Sequence, residues 1–536
     1  MCTSLQNQND SKSKNILELI KEFFCRIFNY AIILLHVYFD YFVDFVFGIY
    51  YDKKIKKVPP VKNPLLLESS VSLAEKIRTR QVTSEDVVKA YIKRCKEVNS
   101  LINAIVEERY LDAINEAKAV DIMIEKGIDI EAIKLKQPFL GVPFTTKESI
   151  EAIGMIHTMG IVSRRNYRSI KDATVVGYLK DAGGILIAKT NVPELNLWVE
   201  SRNKVYGQTN NPYNTTRTVG GSSGGEGAII AACGAPISIS SDIGGSIRMP
   251  AFYNGLFGLK PSEKLTPMTG VGLREKDYPD TMATAGPICK KAEDLTPHLK
   301  VLIGANVSML KLDDPVNLEN LKVFYQEYCS DLRVSKVNQS MRMTLKKAVR
   351  HFKSLTGSAT MIKIPGSEHS FQLWKYWMTC ENFNFRLEIT GREYITNAKR
   401  ELYKYITGSS EITFAAVVKL MDEDFLPKIS AKWAESVTEK AKKFLVNKLG
   451  DDGVLLYPSA PFPAFYHHSS YLRPFNFSYW CLFNVLRFPV CQVPMGLDEY
   501  GLPVGIQVVA APYNDHLCIA VAKELEKEFG GWVPPS

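Results

Sequence analysis

Apolar and polar positions along the chain fall into three regimes. Residues 27–51, "IFNYAIILLHVYFDYFVDFVFGIYY", are apolar on nearly every face of a helix. The exceptions Asn29, His36, Asp40 and Asp44 fall within roughly an 80° sector at 100° per residue, with Arg26 on the same side. The prolines of "VPPVKNP" at 58–64 then end that pattern and read as a linker. Beyond it, helical and strand periods alternate. Thr83 caps a helix whose apolar positions Val87, Val88, Ala90, Tyr91 and Ile92 carry it to about Val98. Asp172 is read as the cap of another, through Val175, Val176, Tyr178 and Leu179, with Gly183-Gly184 as its stop. Ile185–Lys189, the run "PFLGVPFTTK" ending at Lys147, and "ISIS" at 237–240 read as strands, and Glu226–Cys233 as a helix. Such alternation predicts an α/β domain over 65–536, with strand order undetermined.

The N-terminal run is long enough to enter a membrane, which takes about 20 mostly apolar residues. No small-residue cleavage site follows it, which argues against a removed signal peptide. Segment 1–57 is therefore expected to be a membrane anchor with its helix at about 16–51, single-pass or monotopic, on an internal membrane or a lipid-droplet surface. Its polar stripe would face protein or headgroups. Lysines flank both ends (Lys12, Lys14 and Lys21; Lys53, Lys54, Lys56 and Lys57) and leave the orientation open. The plainer alternative is a soluble amphipathic helix packed on the core.

Composition narrows the classes. The 536 residues are 46% hydrophobic and 23% charged, ordinary for a globular protein. The net charge of +9 is spread along the chain without a nucleic-acid motif, so no nucleic acid is expected as partner. Ten cysteines without a C-x-x-C pair read as reduced, buried thiols, so neither a metal nor a disulfide framework is expected.

"GGSSGG" at 220–225 contains G-x-S-x-G around Ser222, the pattern of an α/β-hydrolase elbow. That motif needs a preceding strand, and "NNPYNTTRTV" is polar and turn-rich; an esterase using Ser222 with a downstream histidine stays the lesser reading. The loop also lacks the lysine of a phosphate-binding G-x-x-x-x-G-K-[ST], so no nucleotide cofactor is expected. A second glycine-rich turn, "DIGGSIRMP" at 242–250, presents Ser246 beside bare backbone N–H groups that an oxyanion could approach closely. A helix and a strand join the two turns and could bring them to one end of a sheet. A serine needs a base. Lys147, at the end of an apolar segment, would qualify if burial lowered its pKa from about 10.4 to about 7–8. Asp242 and Arg248 are read as holding the Ser246 turn by hydrogen bonds and ion pairing, and Ser223 as an orienting hydroxyl.

These segments resemble the amidase signature family. "GGSSGGEGAIIAACGAPISISSDIGGSIRMPAFYNGLFGLKPS" at 220–262 resembles its signature and "GVPFTTKES" at 141–149 its lysine motif, and the likeness extends over most of 65–530. The resemblance implies a large mixed central sheet covered by helices on both faces, and a Ser-Ser-Lys triad. In it Ser246 is the nucleophile, Ser222 the bridging serine after a cis Gly221–Ser222 peptide, and Lys147 the base. It implies an oxyanion hole from the N–H groups of Ile243, Gly244, Gly245 and Ser246. Within the family, "ESRNKVYGQTNNPYN" and the apolar N-terminus most resemble the membrane-bound fatty-acid amide hydrolases, especially the second animal type. That implies lipid amide substrates, and leaves a homodimer open. An amidotransferase subunit and a non-catalytic membrane scaffold are the alternatives. Phe414, Val417, Met421 and Phe425 could line a membrane-facing entrance or pack the core, and "FNFSYWCLFNVLRFP" at 475–489 an acyl channel or the core.

Overall fold

The structure is a computed structural model that describes residues 2–127, 129–278 and 280–535; within the first helix, side chains are described at 23, 27, 28 and from 30 onward. Its centre is an 11-stranded mixed sheet. In chain order the strands are β1 (Ile105–Glu108), β2 (Pro143–Lys147), β3 (Ile185–Thr190), β4 (Ile237–Asp242), β5 (Phe257–Lys260) and β6 (Thr284–Cys289), followed by β7 (Lys322–Tyr325), β8 (Thr360–Met361), β9 (Gly453–Pro458), β10 (Val490–Leu497) and β11 (Pro503–Ala510). Their spatial order is β1-β3-β2-β4-β6-β5-β10-β11-β9-β7-β8. The β3–β2–β4 and β9–β7–β8 neighbours are parallel and the remaining pairs antiparallel.

β3, β6, β9 and β11 are buried at every position, which requires cover on both faces. The alternation along β9 makes the point residue by residue. Val454 and Leu456 join one hydrophobic cluster, Leu455 and Tyr457 another, so the two clusters occupy opposite faces. A third, smaller cluster lies off the sheet, built from Met159, Leu195, Phe385, Ile389, Val417 and Leu420.

Helices relevant below are α1 (Cys2–Tyr51), α2 (Ser84–Ile102), α3 (Thr174–Asp181), α4 (Gly224–Ala231), α5 (Arg248–Tyr253), α6 (Phe414–Phe425) and α7 (Ser478–Leu486). Thr83 caps α2 as its sequence suggests, accepting from Asp86 N at 3.0 Å, but the helix runs on past Val98 to a left-handed Asn103. Asp172 does not cap α3. Its carboxylate instead accepts from Ile153 N and pairs with Lys180, and Ala173 occupies the cap position without a side-chain bond. β2 begins only at Pro143, because Phe139–Gly141 turn against Ala182 and Gly183. α1 begins well before residue 16.

The aromatic run at 475–489 is mostly core: Tyr479, Trp480, Leu482 and Phe483 of α7 are buried. The expected stripe on α6 divides. Val417 is buried and Met421 packs against the small cluster, while Phe414 and Phe425 are exposed. The eight described cysteines are free thiols, and among the described residues no group of three His, Cys, Asp or Glu side chains could hold a metal.

Candidate active site

Three chain segments meet at the carboxyl ends of the parallel strands β2 and β4, the place where open α/β sheets leave a crevice. β2 ends in Lys147, the glycine-rich turn before α4 carries Ser222, and the turn from β4 into α5 carries Ser246. The two serine turns are tied by Ser223 N–H donating to Ser246 O at 3.2 Å. The Ser223 hydroxyl is buried without a partner, so the backbone of this residue does the tying that its hydroxyl was expected to do.

The glycines there are needed for close approach. A Cβ on Gly225 would stand 2.4 Å from Asn191 N, and one on Gly245, at φ +118°, 2.4 Å from Trp480 Cβ. The Gly221–Ser222 peptide is cis.

Lys147 is completely buried. Its Nζ lies 2.6 Å from Ser222 Oγ and 3.2 Å from Ser241 Oγ. Burial drives its pKa down to about 7, against the opposing pull of Asp242 and Glu226. An amine poised near neutrality beside hydroxyls has the properties of a general base. Ser222, Ser241 and Ser246 open on one cavity of about 70 Å³, lined also by Met159, Leu197 and Phe383.

The turn after β4 is held from within. Asp242 accepts from Gly245 N at 2.7 Å and Ile247 N at 3.1 Å, and pairs with Arg248 at 3.1 Å. Burial alone would raise the Asp242 pKa, but Arg248 and Asn484 outweigh it and keep the carboxylate ionised. Arg248 in turn donates to Gln507 Oε1 at 2.7 Å and Asn484 Oδ1 at 2.6 Å. Of the four N–H groups expected to face an oxyanion, that of Gly245 is already engaged by Asp242. Trp374 Nε1 donates to Ile243 O at 2.9 Å and fixes the turn from outside.

Sequence reasoning missed Ser241, Glu226, Asn484 and Gln507. Ser241 sat unremarked beside Asp242. Glu226 is fully buried behind Lys147, accepting from Thr145 Oγ1 at 2.5 Å and Thr190 Oγ1 at 2.7 Å, and burial pushes its pKa up to about 7. A glutamate inside the otherwise apolar stretch "EGAIIAAC" was the signal that could have flagged it. The elbow reading fails on geometry, since no strand runs directly into the Ser222 turn and its basic partner is an amine.

Comparison with known proteins bears on this site. The Amidase family model matches residues 86–519. Fatty-acid amide hydrolase 2 of Homo sapiens is 44% identical over 90% of this chain and 93% of its own length. Fatty-acid amide hydrolase 2-A of Danio rerio is 41% identical over 90% and 92%. A solved structure of fatty acid amide hydrolase superposes with a TM-score of 0.68 at 22% identity, covering 88% of this chain and 86% of that one, a likeness of fold. The family model spans Lys147, Ser222 and Ser246; the chain belongs to the amidase signature family and is a hydrolase of amide carbon–nitrogen bonds.

Proposed function

We propose that the protein hydrolyses fatty-acid amides, N-acylethanolamines and primary fatty amides among them, through a Ser246 acyl-enzyme. The observation that carries this reading is the 2.6 Å contact between a buried Lys147 amine and Ser222 at the edge of the Ser246 cavity. Neutral Lys147 accepts the Ser222 proton while Ser222 takes that of Ser246, whose oxygen bonds to the amide carbonyl carbon. The carbonyl oxygen becomes an oxyanion facing the N–H groups of Ile243, Gly244 and Ser246. As the carbon–nitrogen bond breaks, the proton returns along the same hydroxyls to the leaving amine. Water then adds to the acyl ester, gives a proton to the relay, and releases the carboxylic acid with Ser246 restored.

A long acyl chain would lie along the apolar wall of Leu195, Leu197, Leu273 and Phe383, which continues into the small cluster beneath α6. Phe414 and Phe425 are exposed on α6, whose Val417 and Leu420 belong to that cluster, and a chain drawn from a bilayer would enter beside them. The apolar α1 is the membrane anchor in this reading.

The test is turnover of oleamide, anandamide and a short aryl amide by membrane fractions, with Ser246→Ala as control, and fluorophosphonate labelling. Label on Ser246 and preference for the long-chain amides are expected. Label on another serine, or preference for the aryl amide, would overturn the reading.

A further inference from the structure

α1 holds two aspartates inside its most apolar stretch, and both are engaged by the globular body. Arg473, whose side chain is only 2% exposed, lies 2.9 Å from Asp40 and 2.9 Å from Asp44, and donates to Asp40 O at 2.6 Å. Ser335 Oγ donates to Asp40 at 3.1 Å. At the helix end, Tyr466 OH donates to Asp52, the residue after α1, at 2.5 Å, and its ring stacks on Tyr51. His36 also faces the body, whereas Arg26 and Asn29 lie outside the described side chains. The opposite face is exposed and apolar: Leu35, Tyr38, Tyr41, Phe42, Phe45 and Ile49 are each more than half exposed, from 62% to 70%. The stretch long and apolar enough to cross a membrane, Tyr30–Lys54, is thus the same stretch that is docked.

Docking and crossing exclude each other. At 1.5 Å per residue this stretch is about 37 Å long, as long as a bilayer's hydrocarbon core is thick, about 30 Å. The body surface along its flanks carries Arg217, Lys336, Arg342 and Asp498. A crossing, docked helix would place those charges in hydrocarbon, and a crossing, undocked one would leave Asp40 and Asp44 there without Arg473. A helix lying in the membrane plane meets neither cost. Its apolar face enters the leaflet, its acidic stripe stays on Arg473, and the exposed Lys53, Lys54, Lys56 and Lys57 reach anionic headgroups.

We propose that α1 is an in-plane membrane anchor clamped to the catalytic body through Arg473, so that the N-terminus and the active site lie on one side of the membrane. This rests on the membrane association of the preceding reading. The test expresses the full chain, with a different epitope at each terminus, in cells whose microsomes are then isolated sealed and treated with protease. Both epitopes sharing one fate, cut or protected, is the expected result. One cut and one protected overturns the in-plane arrangement while leaving membrane association intact. Chain absent from the membrane pellet overturns both, and a soluble dimer cross-linked through Phe42→Cys would identify a second copy as the occupant of the apolar face.

D40L/D44L removes the acidic stripe and lengthens the apolar run. It is expected to separate the fates of the two epitopes in most chains, and an unchanged shared fate would overturn the role given to the Arg473 clamp. The milder D40N/D44N pair serves if that variant does not accumulate, with the same separation expected in a smaller share of chains.

Discussion

Lys147 and Lys189 stand on neighbouring parallel strands, one residue apart in register, since Thr146 pairs with Lys189 and Lys147 with Thr190. Both are fully buried, and burial lowers both pKa values, to about 7 and about 8. They leave the sheet on opposite faces. Lys147 ends on two hydroxyls, Lys189 on the carbonyl of Ile156 at 2.6 Å, with Glu148 and Glu107 nearby. A hydroxyl can give a proton to an amine, whereas a carbonyl can only receive a hydrogen bond. The comparison teaches that desolvation makes a buried lysine weakly basic, and that its partner decides whether this is chemistry or architecture.

Substitution to methionine separates the two most sharply. Lys147→Met should lower kcat with oleamide by about 10²–10⁴, the usual worth of a general base, with thermal unfolding no earlier than in the wild type. The pH profile comes next. The Lys147 amine must be neutral to act, so kcat/KM should fall about tenfold per pH unit below about 7 and level off above it. A profile flat from pH 5 to 8 would remove Lys147 from the proton path.

Glu226→Gln removes a carboxylate that, where ionised, holds the proton on Lys147; because burial keeps Glu226 largely neutral below about 7, the gain should be confined to the top of the acidic limb, up to a few-fold near pH 7 and absent near pH 5. A purely structural Glu226 would change the rate equally along the whole limb. Lys189→Met should have the smallest kinetic effect, within about threefold in kcat/KM. Its cost should appear in denaturant unfolding, about 1–3 kcal/mol for leaving the buried Ile156 carbonyl without its donor.

What the amino-acid string revealed, and what it hid, follows the same division. Lys147, Ser222 and Ser246 were legible because each sits in a long local motif, β3 because its apolar run is bounded by turns, and β4 because "ISIS" alternates in strand fashion. Asn484 and Gln507 lie 236 and 259 positions from the arginine they hold, and no local pattern encodes such a pairing. The acidic stripe of α1 was visible at 100° per residue, but periodicity defines a face and not the Arg473 that meets it. Asp172 misled for the same reason. Its position offered a helix cap, and tertiary structure gave it Ile153 and Lys180 instead.

Those distant partners of Arg248 also set a timetable. The Ser246 turn has been synthesised by residue 250, yet its clamp closes only when α7 and β11 are in place, and β10 and β11 insert near the middle of the sheet. A growing chain exposes its N-terminal portion to folding first. Here that portion lacks its keystone until some nine-tenths of the polypeptide has been made, so the Ser246 turn can take its final form only around release from the ribosome.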